Sequence, residues 1–227
     1  MRLSSKHPLS SSDFAPRIDR SACGLSCAQI KLFGVDDVEL LRQLQCEFVR
    51  ERDWGQFHTP KNIAMALGGE VGELAEAISH LKYRNFQNSY DTGTEVSDEI
   101  GDVTLYLLRL HDLLDVPVVI APDEEVESPQ NPKPAMLINA VFRLMASVGR
   151  ILESYQWMAA DERLSAEAHR QAVNRLEVAT RDLASVSNLL AINPITAASA
   201  KLEKNRKKYP VHTSRGTSRK HTEIGGQ

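Results

Sequence analysis

The chain has 227 residues, with 27 Lys plus Arg against 30 Asp plus Glu and a formal net charge of −3. Apolar residues at 42% and charged residues at 25% exclude wholesale disorder, and the length suits one large domain or two small ones. Charge is uneven: residues 201–227 hold eight Lys and Arg against two acids, whereas residues 1–200 carry a net charge of −9. The three cysteines, Cys23, Cys27 and Cys46, form no CxxC pair. That spacing supports neither a disulfide scaffold nor a structural zinc site and makes a reducing compartment the default. No run reaches the roughly 18 apolar residues of a membrane span, so no membrane partner is expected.

Residues 1–35 read as a mobile leader. Its serines and Arg2, Lys6, Arg17 and Arg20 leave organellar targeting by residues 1–30 open beside the cytoplasmic default. From Asp36 the pattern turns helical. Leu40, Leu41, Leu44, Phe48 and Val49 predict an amphipathic helix ending near Asp53. Residues 54–58 form a short polar loop. Thr59 and Pro60 then read as N-cap and first residue of a second helix, striped by Ile63, Leu67, Val71, Leu74 and Ile78 and ending near His80. Residues 85–94 read as a loop. A third helix is predicted from about Glu95 to Leu114, with Ile100, Val103, Leu107, Leu110 and Leu114 on one face.

Residues 117–134 hold five of the ten prolines and the acids Asp123, Glu124, Glu125 and Glu127, the composition of a linker. Helices resume over about 135–159, 165–190 and 195–208. Pro210 ends the last one, and the tail over 211–227 is expected to be extended or disordered. Strand signals are nearly absent. The fold class is all-α, a helical bundle. The division is a leader (1–35), a helical unit (36–116), a linker (117–134), a second helical unit with a basic final helix (135–210) and a tail (211–227).

A faint internal repeat joins the two units. Asn62–Ile78 overlays Asn139–Tyr155, matching Leu67 with Leu144, Val71 with Val148, Gly72 with Gly149 and Glu76 with Glu153. Glu99–Val116 overlays Arg175–Ile192, matching Thr104 with Thr180 and Leu107 with Leu183.

Two carboxylate pairs mark the chemistry. Glu70 and Glu73 are three residues apart on the second helix, and Glu99 and Asp102 are three apart on the third. Residues at i and i+3 share a helix face, and both pairs adjoin apolar stripe positions. Antiparallel packing of the two helices would bring four anions together. Such a group repels by several kcal/mol unless a cation neutralises it. Oxygen ligands suit a hard ion, so Mg²⁺ is the expected cofactor, sharing its shell with substrate phosphates. A single ExxE on a helix is usually a solvated face. Two on consecutive helices, with Gly69, Gly72 and Gly101 beside them, point to close approach of a helix or ligand.

These motifs, with Glu51-Arg-Asp-Trp-Gly-Gln-Phe-His58 before them and Lys201-Leu-Glu-Lys-Asn-Arg206 through Ser214-Arg-Gly after them, resemble the MazG-like all-α nucleoside triphosphate pyrophosphatases. The resemblance is strongest to the dCTP pyrophosphatase branch and covers roughly residues 40–116 and 193–224. It implies a Mg²⁺-dependent hydrolase that cuts a nucleoside triphosphate, dCTP or a modified dCTP, to the monophosphate and pyrophosphate. In the resemblance Glu70, Glu73, Glu99 and Asp102 hold the metal and serve catalysis, with Glu76 a weaker candidate behind them. Trp54, Phe57 and His58 match the base-contacting loop, Tyr106 a substrate-contacting tyrosine, and Lys201, Asn205 and Arg206 the triphosphate-holding residues. Two positions depart from the branch: Gln45 stands in place of a histidine and His80 in place of a tryptophan. Base preference among dCTP, its modified forms and dUTP therefore stays open.

On the repeat, Ser147, Arg150, Arg175 and Val178 replace the four acids. The second unit thus reads as a degenerate copy fused in line, a built-in partner forming a pseudo-dimer. The one basic final helix comes after it. A homo-oligomer stays open, since the fused unit would replace one partner. The competing reading is a catalytically retired bundle acting as an oligomerisation or nucleotide-sensing partner. A nucleic-acid partner is not expected, because the basic run sits on an acidic body with few aromatics.

Overall fold

A computed structural model describes residues 38–84, 89–90, 93–118, 133–159 and 162–217. The expected leader, the linker over 119–132, Cys23, Cys27 and the final residues 218–227 lie outside the described residues. The helices are α1 (Val38–Glu51), α2 (Pro60–Ser79), α3 (Gly93–Leu113), α4 (Pro134–Tyr155), α5 (Ala166–Leu189), α6 (Pro194–Lys208) and the single turn α7 (Val211–Ser214). Among the described residues the fold is a helical bundle, in keeping with the all-α expectation, with one short strand pair.

Local chemistry starts the helices where the sequence predicts. Thr59 caps α2, its side chain accepting from the Asn62 amide at 3.1 Å, with Pro60 as first residue. Ser165 caps α5 in the same way through the Ala168 amide. The Asn193 side-chain oxygen accepts from the amides of Ile195 and Thr196 at the start of α6. The polar loop after α1 holds a 3₁₀ turn at Trp54–Gln56. The stretch read as a loop after α2 carries a small antiparallel pair, β1 (Tyr83–Arg84) with β2 (Ser89–Tyr90).

Two helical hairpins, α2–α3 and α4–α5, share one core. Ile100, Leu107, Leu144, Leu176 and Leu183 are each buried almost completely. Burying a leucine contributes about 1.5–3 kcal/mol. The hairpins meet through α2 on α4 and α3 on α5. Lys61 Nζ, at the start of α2, donates to the Met158 carbonyl just past α4 at 2.5 Å. A buried polar link, His111 Nε2 to Thr180 Oγ1 at 3.0 Å, ties α3 to α5.

A second cluster lies on the other side of α3. Leu41, Phe48 and Val49 of α1 and Ile195, Ala198 and Leu202 of α6 pack on Leu105 and Leu108. Helix α3 is therefore buried on two sides, which explains the near-continuous apolar run Val103-Thr-Leu-Tyr-Leu-Leu108 that surrounds its polar site residues. Helix α4 is apolar on two faces as well: Ala140, Leu144, Val148 and Ile151 are buried, whereas Ile138, Phe142 and Met145 are exposed. By length and composition alone α4 could cross a bilayer, yet its buried face packs on α2 and α5 as a core helix does.

Of the three glycines, one meets a neighbouring helix among the described residues. A Cβ on Gly101 would stand 2.7 Å from the Ala197 carbonyl oxygen and 2.9 Å from Lys201 Cβ, so only glycine lets α6 lie this close to α3. Gly69 and Gly72 face open space, because no described helix packs over that side of α2.

The described part of the tail, residues 211–217, is more ordered than its composition suggests. After Pro210 the chain forms α7 and folds back on the end of α1. Arg52 Nε donates to the Tyr209 carbonyl at 2.8 Å, Trp54 Nε1 donates to the Ser214 carbonyl at 3.0 Å, and the Gly216 amide donates to the Arg52 carbonyl at 2.8 Å. These bonds span about 160 residues of sequence, where local propensity carries no signal.

Gly101→Ala is expected to destabilise the fold by about 1–3 kcal/mol through overpacking. Gly72→Ala is expected to stabilise it by about 0.5–1 kcal/mol, since helix propensity is then the sole change. Urea unfolding of both variants checks the contrast; equal effects would contradict the α3–α6 contact.

Candidate active site

Helices α2, α3 and α6, with the end of α1, enclose an open cavity of about 610 Å³. One wall is acidic. Carboxylate oxygens of Glu70, Glu73 and Glu99 all lie within 4.8 Å of one another. The i, i+3 spacing on each helix produces this, as the two stripes pack and turn the flanking acids toward each other.

The fourth acid, Asp102, has a different partner. Lys201 Nζ reaches its Oδ2 at 2.5 Å, and the pair is mostly buried. The nearby Asn205 side chain also favours the ionised form of Asp102. The structure thus clusters three of the four expected metal ligands and neutralises the fourth with a cation from α6. The close approach at Gly101 is the physical reason, because it sets Lys201 directly over Asp102.

The acids feel their surroundings. Burial, then the charges of Asp102, Glu73 and Glu99, raises the Glu70 carboxyl to about 7. Glu99 is raised by burial, with Lys201 opposing. Asp102 is raised by burial despite its Lys201 hydrogen bond. Glu99 Oε2 is buried with no hydrogen-bond partner among the described residues. An orphaned buried carboxylate oxygen beside two more carboxylates fits a divalent cation that accepts oxygen ligands.

The opposite end of the cavity is aromatic and lined by Trp54, Phe57, His58 and Tyr106. Phe48 and Tyr209 meet the Trp54 ring edge-on, at centroid distances of 5.5 and 5.3 Å. With its indole N–H held by Ser214, Trp54 is fixed in place. Burial, then the nearby carboxylates, raises the Tyr106 hydroxyl and keeps it protonated. Burial, then the Arg109 charge, lowers His58 to about 4, so its ring is neutral at physiological pH.

Of the remaining candidates, Lys201 and Asn205 line the cavity and Arg206 does not; Arg206 Nε lies 3.5 Å from Glu203. Glu76 is exposed and is not one of the clustered acids. Gln45 lines the cavity with its Nε2 donating to the Leu105 carbonyl at 2.7 Å. His80, the other departure from the branch pattern, is exposed at the end of α2 and outside the lining. Sequence reasoning gave Arg109, Lys208 and Tyr209 no role at the site, although all three line the cavity. Arg109 had a signal: it follows Asp102 and Tyr106 on the same face of α3, at i+7 and i+3.

Comparison with known proteins gives an independent view. The chain is 38% identical over 82 residues to dCTP pyrophosphatase 1 of Rattus norvegicus and of Homo sapiens, and 37% identical to that of Bos taurus. The chain resembles the dCTP pyrophosphatases. The matched region is 32% of this chain and 45% of each relative, so the chain spans a little under half the length of the curated relatives it matches. No family model and no solved structure matches. The all-helical fold and this resemblance agree with the motif reading.

Glu70 provides a sign test of the acid cluster. Its folded carboxyl lies near 7, above the ordinary 4.5, so the metal-free protein loses stability as pH rises through that interval. Glu70→Gln is expected to raise the melting temperature at pH 8 in the presence of a chelator, and to raise it less at pH 5. A gain that is the same at both pH values would contradict the repulsion.

Proposed function

We propose that the chain hydrolyses a pyrimidine nucleoside triphosphate, dCTP or a modified dCTP, to the monophosphate and pyrophosphate with the help of Mg²⁺. The observation that carries this reading is the convergence of Glu70, Glu73 and Glu99 in one cavity with an aromatic end and a lysine-bearing helix. The partial similarity to dCTP pyrophosphatase 1 supports it.

Glu70, Glu73 and Glu99 would hold the metal. When bound, Mg²⁺ lowers the pKa of a water and offsets negative charge on the phosphates. In the overall reaction the water oxygen joins the α-phosphorus and the α–β bridging bond breaks. Lys201, Asn205 and Lys208 line the α6 wall and offer N–H donors to the triphosphate. Lys201 can exchange Asp102 for a phosphate oxygen, which frees that carboxylate for a cation. Trp54, Phe57 and Tyr106 line the aromatic end together and offer apolar ring surface to a base.

The same proposal covers the second half. Residues 135–192 are a degenerate copy that completes the bundle as a built-in partner. Thr104 and Thr180, matched on the repeat, are both buried and both donate to the carbonyl four residues earlier, Ile100 and Leu176. At the positions matching the acids, Arg175 Nη1 instead donates to the Arg150 carbonyl at 2.6 Å. Among the described residues there is therefore one acid cluster, formed by helices of a single chain.

A panel of nucleoside triphosphates, assayed for pyrophosphate with and without Mg²⁺, tests the reading. Turnover of a pyrimidine triphosphate only with Mg²⁺ is expected, and turnover of none would refute it and favour the retired-bundle alternative. Glu73→Gln and Glu99→Gln should each lower kcat at least about 100-fold, as losing a group that holds transition-state charge does, with little change in melting temperature. Activity kept in both would move the metal site elsewhere.

A further inference from the structure

Arg109 lines the cavity but has no part in the reaction described above. Its guanidinium is 11% exposed and one arm, Nη1, is bonded to Asp112. Asp112 in turn accepts from Arg42 Nη1 of α1 at 2.6 Å and from Cys46 Sγ at 3.5 Å. The carboxylate is pinned between two guanidinium groups from two helices, and this fixes the direction in which Arg109 points. Its Nε lies 3.3 Å from Nδ1 of His58.

Direction matters because an arginine nitrogen can only donate. Nδ1 of His58 must therefore be the acceptor. A neutral imidazole carries one hydrogen, so that hydrogen sits on Nε2. Among the described residues the His58 ring makes no other hydrogen bond. Burial and the adjacent Arg109 charge both disfavour a second proton on the ring.

We infer that Arg109 is a positioning residue for base recognition. It holds His58 as the Nε2–H tautomer, so the aromatic end of the cavity presents a ring N–H donor and takes a base that offers an acceptor there. This rests on the nucleotide reading above and deepens it. For cytosine the partner is O2 or N3, and the exocyclic amino group, itself a donor, is turned away. For uracil it is a carbonyl oxygen. A base in the wrong orientation leaves a buried donor facing a donor, which is where polar pockets discriminate most strongly.

The test has two arms. In ¹⁵N-histidine NMR of the whole chain without nucleotide, His58 should show an unprotonated Nδ1 and a protonated Nε2. Arg109→Leu should convert it to a mixture of tautomers. In steady-state hydrolysis of dCTP and dUTP, Arg109→Leu should raise KM roughly five- to tenfold, with a smaller change in kcat. Arg109→Lys, which keeps one donor, should recover part of the loss. In a His58→Phe background the Arg109→Leu change should add less than twofold. A protonated Nδ1 in the wild-type chain would overturn the inference. So would an Arg109→Leu loss of equal size in both backgrounds, which would mean Arg109 contacts the substrate itself. If no triphosphate is turned over, the nucleotide reading fails, while the NMR arm still decides the tautomer.

Discussion

The approach of α6 to α3 at Gly101 is the contact on which the cavity depends. Without a Cβ at that position the Ala197 carbonyl and Lys201 Cβ sit where a side chain would otherwise stand. That closeness sets Lys201 on Asp102 and Lys204 on Asp98, the latter pair at 2.6 Å. It also seals Leu202 against Leu105 and Leu108 in the smaller cluster. A helix held about one methyl group further out would widen the cavity and separate the cationic wall from the acids.

Charge organises the rest of the site around that contact. Three clustered carboxylates with one orphaned oxygen are a costly arrangement in a half-buried setting, and the Glu70 carboxyl shows the strain in its raised protonation range. The aromatic end is organised differently. There the side chains are locked by packing and by bonds to carbonyls: Trp54 by Ser214, Gln45 by Leu105, and Arg52 by Tyr209. Opposed charges at one end and packed aromatic rings with fixed polar contacts at the other give the cavity two chemically different halves.

Much of this was legible in the sequence because it is periodic or local. The stripes of α2 and α3, the cap at Thr59, and the facing of Glu70 with Glu73 and Glu99 with Asp102 all follow from helix geometry. What could not be read was pairing across distance. That Asp102 belongs to Lys201 while its three neighbours stay together depends on how near one helix comes to another. The ordered turn at Val211–Ser214 is hidden for the same reason: it closes locally on the Pro210 carbonyl, but its anchors, Trp54 on the Ser214 carbonyl and the Gly216 amide on Arg52, come from far along the chain. Gly69, Gly72 and Gly101 look alike in sequence, yet only the last meets a neighbouring helix. Arg109 was missed because a lone arginine on an apolar helix declares no partner, although its place on the Asp102–Tyr106 face was there to be counted.

The order of the parts along the chain gives the cavity a history as well as a shape. Lys204 answers Asp98 across 106 positions, and the whole α4–α5 hairpin lies between them. During synthesis the acidic pair of helices is made before the α4–α5 hairpin and stands without the cations of α6 until that helix follows. The cavity is therefore complete only once α6 has been made. A chain that stops short of α6 keeps every carboxylate of the site, with neither the cations nor the wall that turn a patch of repulsion into a place for a ligand.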